Sequence, residues 1–234
     1  MDEEKRVAII VAAGSGSRMG SALPKQFHEL AGIPLAIHPG LKFRQFDPTI
    51  ELVYVISIGS AQIWENLLQT YFPTGGWRLC MGGKTRYESV QNGVNSITNP
   101  DAWVAIHDGA RPFIEKVQLN EAFLQAKQLG NAVFAAPAKD SLRQTLDDGT
   151  SRFVDRSQYY CVQTPQIFRQ RDLLPVYQQA PDALFTDDAT VMELAGYRIH
   201  LFPGPYENIK VTTPEDWILA ERILEKTGRP ESHL

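Results

Sequence analysis

The stretch "RVAIIVAAGSGSRMG" (6–20) joins a hydrophobic run to a loop almost free of large side chains. Short runs of Val, Ile and Ala bounded by Gly read as strands buried on both faces, as in a parallel sheet. A Gly-rich loop at the end of such a strand presents several backbone N–H groups at the carboxyl edge of the sheet. Open α/β folds bind ligands at that edge, and converging amides favour phosphate. Two familiar phosphate loops are excluded by spacing. A P-loop needs GK[ST] after its second Gly, whereas Lys25 here follows Pro24; a dinucleotide fingerprint needs GxGxxG, whereas Gly14, Gly16 and Gly20 span one residue more. The loop is followed by "SALPKQF" (21–27), so that two cations, Arg18 and Lys25, stand seven positions apart. When a triphosphate loses pyrophosphate, negative charge grows on its α-phosphoryl group and on the leaving group, and fixed cations act there. The competing reading is that both are ordinary solvated surface residues.

Working outward, the same kind of run recurs at "ELVYVISIG" (51–59), "WRLCMGG" (77–83), "AWVAIHDGA" (102–110) and "NAVFAAPA" (131–138). Between them, residues 34–46, 60–71, 85–97 and 116–129 carry helical periodicity. Strands alternating with amphipathic helices predict an α/β fold with a doubly wound, mostly parallel, Rossmann-like sheet. A last helix is announced by "TTPEDWILAERILEK" (212–226), with Thr213 as cap, Pro214 at the first helical position and acids in the first turn. Trp217, Ile218, Leu219, Ile223 and Leu224 are expected to be its core face. Asp187 and Asp188 are expected to start another helix and cap its amides, in preference to binding a metal.

One segment breaks the alternation. "SLRQTLDDGTSRFVDRSQYY" (141–160) reads as two extended arms about Asp148-Gly149, a hairpin signal, yet its arms carry too few apolar residues to bury a face. It is expected to project, as an arm at about 139–160, and to dock on a second copy of the chain. The chain reads as a single domain spanning 1–234, this arm included, without repeats or low-complexity tracts.

The 234 residues are 43% hydrophobic, enough for a substantial core, and carry a net charge of −4 with the Lys and Arg residues dispersed. No basic field draws such a chain to nucleic acid, so a polyanion it binds is small and met locally. Cys80 and Cys161 lack CxxC spacing and read as ordinary buried or half-buried thiols without a disulfide. The acidic start "MDEEKR" is unlike a secretory signal, and no apolar run reaches membrane-spanning length, so a cytoplasmic protein, or a processed organellar one, with no membrane partner is expected.

The ordered motifs "AAGSGSRMG" (12–20) with "PKQF" (24–27), "GGKTRYESVQNG" (82–93), "HDGARP" (107–112), "VDRS" (154–157), "TPQIF" (164–168), "TDDA" (186–189) and "NIKVTTPED" (208–216) resemble the 2-C-methyl-D-erythritol 4-phosphate cytidylyltransferases of the non-mevalonate isoprenoid pathway, over about residues 6–226. The resemblance implies a CTP-dependent nucleotidyltransferase that releases pyrophosphate, uses Mg²⁺ and forms a homodimer through the hairpin. Carried over by position, it implies that Ala12, Ala13, Gly14, Gly83 and Ser89 hold the cytosine and ribose, and that Arg18, Lys25 and Lys210 surround the α-phosphate. Asp108 would bind Mg²⁺, and Arg111, Thr164 and Thr186 would line the sugar-phosphate site. Ser141 and Arg156, on the arm, would reach the partner subunit's site. This chain departs from the common pattern at Gly109, where Ala is usual, and at Ser141, where Thr is usual.

The chemistry so implied is in-line attack by a polyol phosphate on the α-phosphorus of CTP, which needs neither a covalent intermediate nor a general base. His107, beside Asp108, is accordingly expected to be satisfied by local hydrogen bonds rather than to move protons. Pentitol-phosphate cytidylyltransferases that make CDP-ribitol share most of these motifs. Transfer to ribitol 5-phosphate, a sugar-1-phosphate nucleotidyltransferase using another base, and a regulatory module that binds CTP without turnover remain alternatives.

Overall fold

A computed structural model of the chain describes residues 4–14, 24–179 and 185–227. In chain order its strands begin with β1 (Arg6–Val11), the two-residue pair β2 (Glu29–Leu30) and β3 (Ile33–Pro34), and β4 (Glu51–Ile56). They continue with β5 (Trp77–Met81), β6 (Trp103–Asp108), β7 (Asn131–Pro137), β8 (Arg143–Thr145), β9 (Ser151–Phe153), β10 (Tyr160–Arg169) and β11 (Leu201–Pro203). The helices are α1 (Ile37–Phe46), α2 (Ala61–Tyr71), α3 (Arg86–Asn95), α4 (Lys116–Leu129), α5 (Gln170–Tyr177), α6 (Asp188–Leu194) and α7 (Pro214–Thr227).

Successive residues of the central strands enter different cores, because neighbouring side chains in a strand point to opposite faces. Ala8, Ile10, Leu52, Tyr54 and Ala105 join one cluster with Phe43, Trp64 and Phe123 from α1, α2 and α4. Val7, Ile9, Val53, Val55 and Val104 join the other with Val90, Leu173 and Met192 from α3, α5 and α6. Helices therefore cover both faces of a seven-stranded sheet ordered β11-β7-β10-β6-β1-β4-β5, the doubly wound arrangement expected. Within it β10 alone runs antiparallel to its two neighbours, β6 and β7.

That antiparallel strand is the main element the sequence reading omitted. Its apolar run is interrupted by Gln163, Pro165 and Gln166, which argue against a central strand. The structure satisfies the two amides from afar: Gln163 Nε2 donates to the Pro205 carbonyl at 2.9 Å, and Gln166 Oε1 accepts from the Ala189 amide at 2.7 Å. The three-residue β11 also went unread.

A third, smaller cluster fixes the position of the site. Leu30 and Leu35 from the β2–β3 hairpin region pack with Ala110, Phe113, Val211, Ala220, Ile223 and Leu224. This packing brings the segment after Pro24 against the start of α7. At that start Asp216 N donates to Thr213 Oγ1 at 3.3 Å, while Asp216 Oδ2 accepts from the Thr213 amide at 2.9 Å. Ile223 and Leu224 are core as expected, but Ile218 and Leu219 are 62% and 48% exposed, because they fall on the side of α7 turned away from this cluster.

The hairpin β8–β9 forms as predicted, with the Leu146 amide donating to the Thr150 carbonyl at 2.9 Å and Gly149 at φ +80°, a conformation that favours glycine. Every residue of its two strands is exposed. Cys161, expected to be buried or half-buried, is exposed beside it; both cysteines are free thiols. Among the described residues no helix is long and apolar enough to cross a membrane.

Candidate active site

At the carboxyl edge of the sheet lies a cavity of about 530 Å³ whose lining includes Ala12, Ala13, Gly14, Lys25, Gly83, Ser89, Asp108 and Lys210. Eight positions chosen from scattered stretches of sequence thus share one cavity. β1 delivers the first three, β6 ends at Asp108, the β5–α3 loop supplies Gly83, and Ser89 comes from the second turn of α3. Among the described residues four cations, Lys25, Lys84, Arg86 and Lys210, line it against a single carboxylate, Asp108. A cleft with that balance attracts a small polyanion.

The β5–α3 loop is shaped by local bonds. Ser89 Oγ accepts from the Gly83 amide at 3.1 Å and donates to the Thr85 carbonyl at 2.8 Å. Thr85 caps α3, its Oγ1 accepting from the Glu88 amide at 3.1 Å. A Cβ on Gly82 would stand 2.5 Å from Ala13 Cβ, so the β1 loop and the β5–α3 loop approach too closely for a methyl group there.

Asp108 is the electrostatic centre. Lys210 Nζ lies 2.8 Å from its Oδ2, Arg86 Nε donates to Oδ1 at 3.2 Å, and Arg111 Nε is 3.7 Å from Oδ2. Burial alone would raise the carboxyl's pKa, but Arg86, Lys210 and Arg111 together outweigh it and hold the group well below the usual carboxylate range. Lys25 Nζ donates to the Val211 carbonyl at 2.9 Å, which sets it beside the chain that carries Lys210.

Beneath Asp108 runs a buried relay. The Asp108 amide donates to Thr164 Oγ1 at 3.0 Å. His107 Nε2 donates to the Arg111 carbonyl at 2.9 Å, leaving Nδ1 to accept from the Thr164 hydroxyl at 3.2 Å. His107 is fully buried, and burial pushes its pKa down to about 4, with the Arg111 carbonyl opposing, so the imidazole is neutral and locally satisfied as expected.

Not every candidate joins the main cavity. Arg111 lines a second cavity of about 280 Å³ with Lys139, Asp140, Gln163 and Asn208, and its Nη1 donates to the Asn208 carbonyl at 2.7 Å. Thr164 is buried beneath Asp108 and lines neither cavity. Thr186 is exposed and likewise lines neither. Ser141 is exposed at the root of the arm, and Arg156, also exposed, donates from Nη1 to the carbonyl of Lys139 in its own chain. Arg18 lies outside the described residues.

Two functional-looking groups escaped the sequence reading. Arg86 and Lys84 line the cavity, although only their motif had been noted. A cation at the first position of a helix opposes the helix dipole, and that was the available signal for Arg86. Its reason is Asp188: Arg86 Nη1 and Nη2 donate to Asp188 Oδ1 and Oδ2 at 2.9 and 2.7 Å. Asp187 does cap α6, accepting from the Thr190 amide at 2.9 Å, but Asp188 is buried in this ion pair instead of capping amides.

The donor set bears on metal binding. Among the described residues no three His, Cys, Asp or Glu side chains converge as a ready cage. Mg²⁺, however, commonly takes one or two carboxylates and completes its shell with substrate phosphates and water, and the ionised Asp108 in a phosphate-sized cavity fits that use.

Comparison with known proteins gives a consistent result. The sequence profile described as "IspD: 2-C-methyl-D-erythritol 4-phosphate cytidylyltransferase" matches residues 6–226. The chain is 37% identical over 227 residues to the 2-C-methyl-D-erythritol 4-phosphate cytidylyltransferase of Syntrophus aciditrophicus, covering 95% of this chain and 97% of that one. It is 40% identical over 225 residues to the protein of the same name from Porphyromonas gingivalis, covering 95% and 99%. Among solved structures, 4-diphosphocytidyl-2C-methyl-D-erythritol synthase from Anaerococcus prevotii superposes with a TM-score of 0.82 at 28% identity, covering 95% of this chain and 100% of that one.

Proposed function

The chain belongs to the 2-C-methyl-D-erythritol 4-phosphate cytidylyltransferase family, and on that premise we propose how its own residues carry out the reaction. It is a nucleotidyltransferase that transfers CMP from CTP to 2-C-methyl-D-erythritol 4-phosphate, releasing pyrophosphate and forming 4-diphosphocytidyl-2-C-methyl-D-erythritol in non-mevalonate isoprenoid biosynthesis. The observation that carries the residue assignment is the convergence of Lys25, Lys210 and Asp108 on the cavity walled by the Ala12–Gly14 backbone and the Gly83 loop.

Cytosine and ribose lie against Ala12, Ala13, Gly14, Gly83 and Ser89, where the β1 loop and the β5–α3 loop approach closely at Gly82 and Ala13. The acceptor's phosphate oxygen attacks the α-phosphorus in line; one P–O bond forms as the bond to the pyrophosphate leaving group breaks. That phosphate is already anionic near neutral pH, so the protein moves no proton. Its work is positioning and charge stabilisation by Lys25, Lys210 and Arg18 at the α-phosphoryl group. Mg²⁺, held by Asp108 with nucleotide phosphate oxygens, would supply further charge neutralisation on the triphosphate.

We place the polyol phosphate toward Arg111 and the adjoining second cavity, with Thr186 as a further contact and Thr164 acting through Asp108, whose amide it accepts from. Residues 1–234 act as one domain whose arm, at about 139–160, pairs two copies and offers Ser141 and Arg156 to the neighbouring site. Supporting this are apolar side chains left exposed among the described residues: Phe153 is 75% exposed, with Leu146, Tyr160 and Val162 exposed nearby in sequence. The enzyme is assigned to the cytoplasm.

The test is pyrophosphate release from each of CTP, ATP, GTP and UTP with 2-C-methyl-D-erythritol 4-phosphate, ribitol 5-phosphate and a sugar 1-phosphate, with and without Mg²⁺. Turnover confined to CTP with the methylerythritol phosphate is expected. Preference for ribitol 5-phosphate would move the acceptor assignment, and CTP binding without release of pyrophosphate would make the chain a non-catalytic module.

A further inference from the structure

Arg86 makes three side-chain bonds to two carboxylates that lie 80 residues apart in sequence, Asp108 at the end of β6 and Asp188 at the start of α6. Both terminal nitrogens are engaged by Asp188, in the bidentate geometry that fixes a guanidinium plane. Asp188 is itself 1% exposed and receives a further bond from Tyr177 Oη, at 2.7 Å. With the guanidinium plane held in this way, Nε donates to Asp108 Oδ1 at 3.2 Å. The opposite oxygen, Oδ2, is the one Lys210 meets at 2.8 Å.

The arrangement is more than charge balance. A surface-exposed pair would hold two long side chains loosely, but here the anchor is buried, shared by α5 and α6, and aligned on one face of the sheet with α3. Removing either partner would leave a desolvated charge uncompensated. Arg86 and Asp108 both line the cavity, and it is the Asp108 carboxylate that links this chain of bonds to Lys210.

We propose that Asp188, Arg86 and Tyr177 form a positioning relay for the transfer step: Tyr177 and Asp188 fix the plane of the Arg86 guanidinium, Arg86 Nε pins Asp108 Oδ1, and Asp108 thereby holds Lys210 in place at the α-phosphate. The inference rests on the cytidylyl-transfer reading of the site. It assigns Arg86 no direct contact with the nucleotide, which separates it from Lys25 and Lys210.

Arg86→Lys keeps a positive charge but cannot bridge two carboxylates bidentately, and Asp188→Asn keeps shape while loosening the anchor. Both are expected to lower kcat about tenfold or more while the dissociation constant for CTP, measured without acceptor, changes by less than about threefold. The deciding readout is a double-mutant cycle. In an Asp108→Asn background, assayed at high enzyme concentration, Arg86→Lys is expected to produce almost no further loss, because its effect runs through the carboxylate already removed.

Equal losses in both backgrounds, or a loss expressed wholly as weaker CTP binding, would overturn the relay and leave Arg86 as a structural or nucleotide-contacting residue. Should both charge variants fail to fold, Tyr177→Phe decides, since it removes one hydrogen bond and no charge. A fall of about two- to fivefold in kcat with normal CTP binding supports the relay, and an unchanged kcat refutes it. Failure of the underlying function is distinguishable, because then the unmodified chain would release no pyrophosphate from CTP with any of the acceptors.

Discussion

Lys25 donates its ammonium to the main-chain carbonyl of Val211 at 2.9 Å, across 186 positions of sequence. The bond ties the segment following the Gly-rich loop to the strand of chain bearing Lys210, and the small cluster of Leu30, Leu35, Val211 and Leu224 packs behind it. Two cations from opposite ends of the sequence are thereby fixed over one cavity before substrate arrives. Preorganisation of this kind lets charged groups act on a transition state without reorienting as charge develops.

Lys25→Ala and Lys210→Ala should therefore lower kcat by about 10²–10³, with much smaller losses in CTP affinity, since the charge they meet grows chiefly during the reaction. Steady-state rates with saturating acceptor, set beside calorimetric CTP binding, measure the two separately. Near-normal turnover in both variants would remove the pair from the transition state.

Gly82→Ala tests the nucleotide slot by volume alone. Its new methyl would meet Ala13 Cβ at 2.5 Å and Ser89 Oγ at 3.0 Å, with the Ile56 carbonyl at 3.2 Å, so one loop must shift from the other. Overpacking of this sort typically costs about 1–3 kcal/mol. CTP affinity should fall at least about tenfold, while the far-ultraviolet circular dichroism remains that of the parent; unchanged affinity would place the base elsewhere.

His107 gives the chain a defined acid sensitivity. Its ordinary pKa of 6.5 is depressed to about 4 by burial in the native state. Between those values the unfolded chain binds a proton that the folded chain refuses, so stability falls as pH drops from 6.5 toward 4 and changes no further on this account below 4. The full effect amounts to about 3 kcal/mol. Denaturant midpoints across that window should show a shallower slope for His107→Gln than for the parent. The His107 imidazole resonances of the folded protein, assigned by their loss in His107→Gln, should still report a neutral ring at pH 5.5.

The arm is tested by mixing chains. If Arg156 serves the neighbouring site, combining Arg156→Ala chains with Lys25→Ala chains yields dimers in which one site carries both defects and the other carries neither. Activity should then rise toward about half the wild-type value per mixed dimer. In the single chain Arg156 bonds the Lys139 carbonyl beside the second cavity, which gives the competing outcome a structural basis. Proven subunit exchange without recovery would show that Arg156 serves its own subunit.

The sequence by itself determined the elements whose residues declare themselves locally. The Val- and Ile-rich runs of β1, β4 and β6 can be stable only when covered on both faces, and the Thr213-Pro214 start of α7 satisfies its own amides. The Asp148-Gly149 turn needs a left-handed residue that glycine supplies. Likewise the ordered motifs located Ala12, Lys25, Asp108 and Lys210, which share one cavity.

Only the tertiary structure decided the elements whose logic is nonlocal. β10 carries two glutamines and a proline through the middle of the sheet, and it reads as a strand only once Pro205 and Ala189 are seen to satisfy those amides. Thr164 is placed under Asp108, whose amide it accepts from, and Asp188 looked like a cap and holds Arg86. The physical reason is the same in each case. A buried polar or charged group is tolerated only with a partner, and here the partner comes from another element of the fold, so the residue's role is fixed by where the chain returns rather than by its neighbours in sequence.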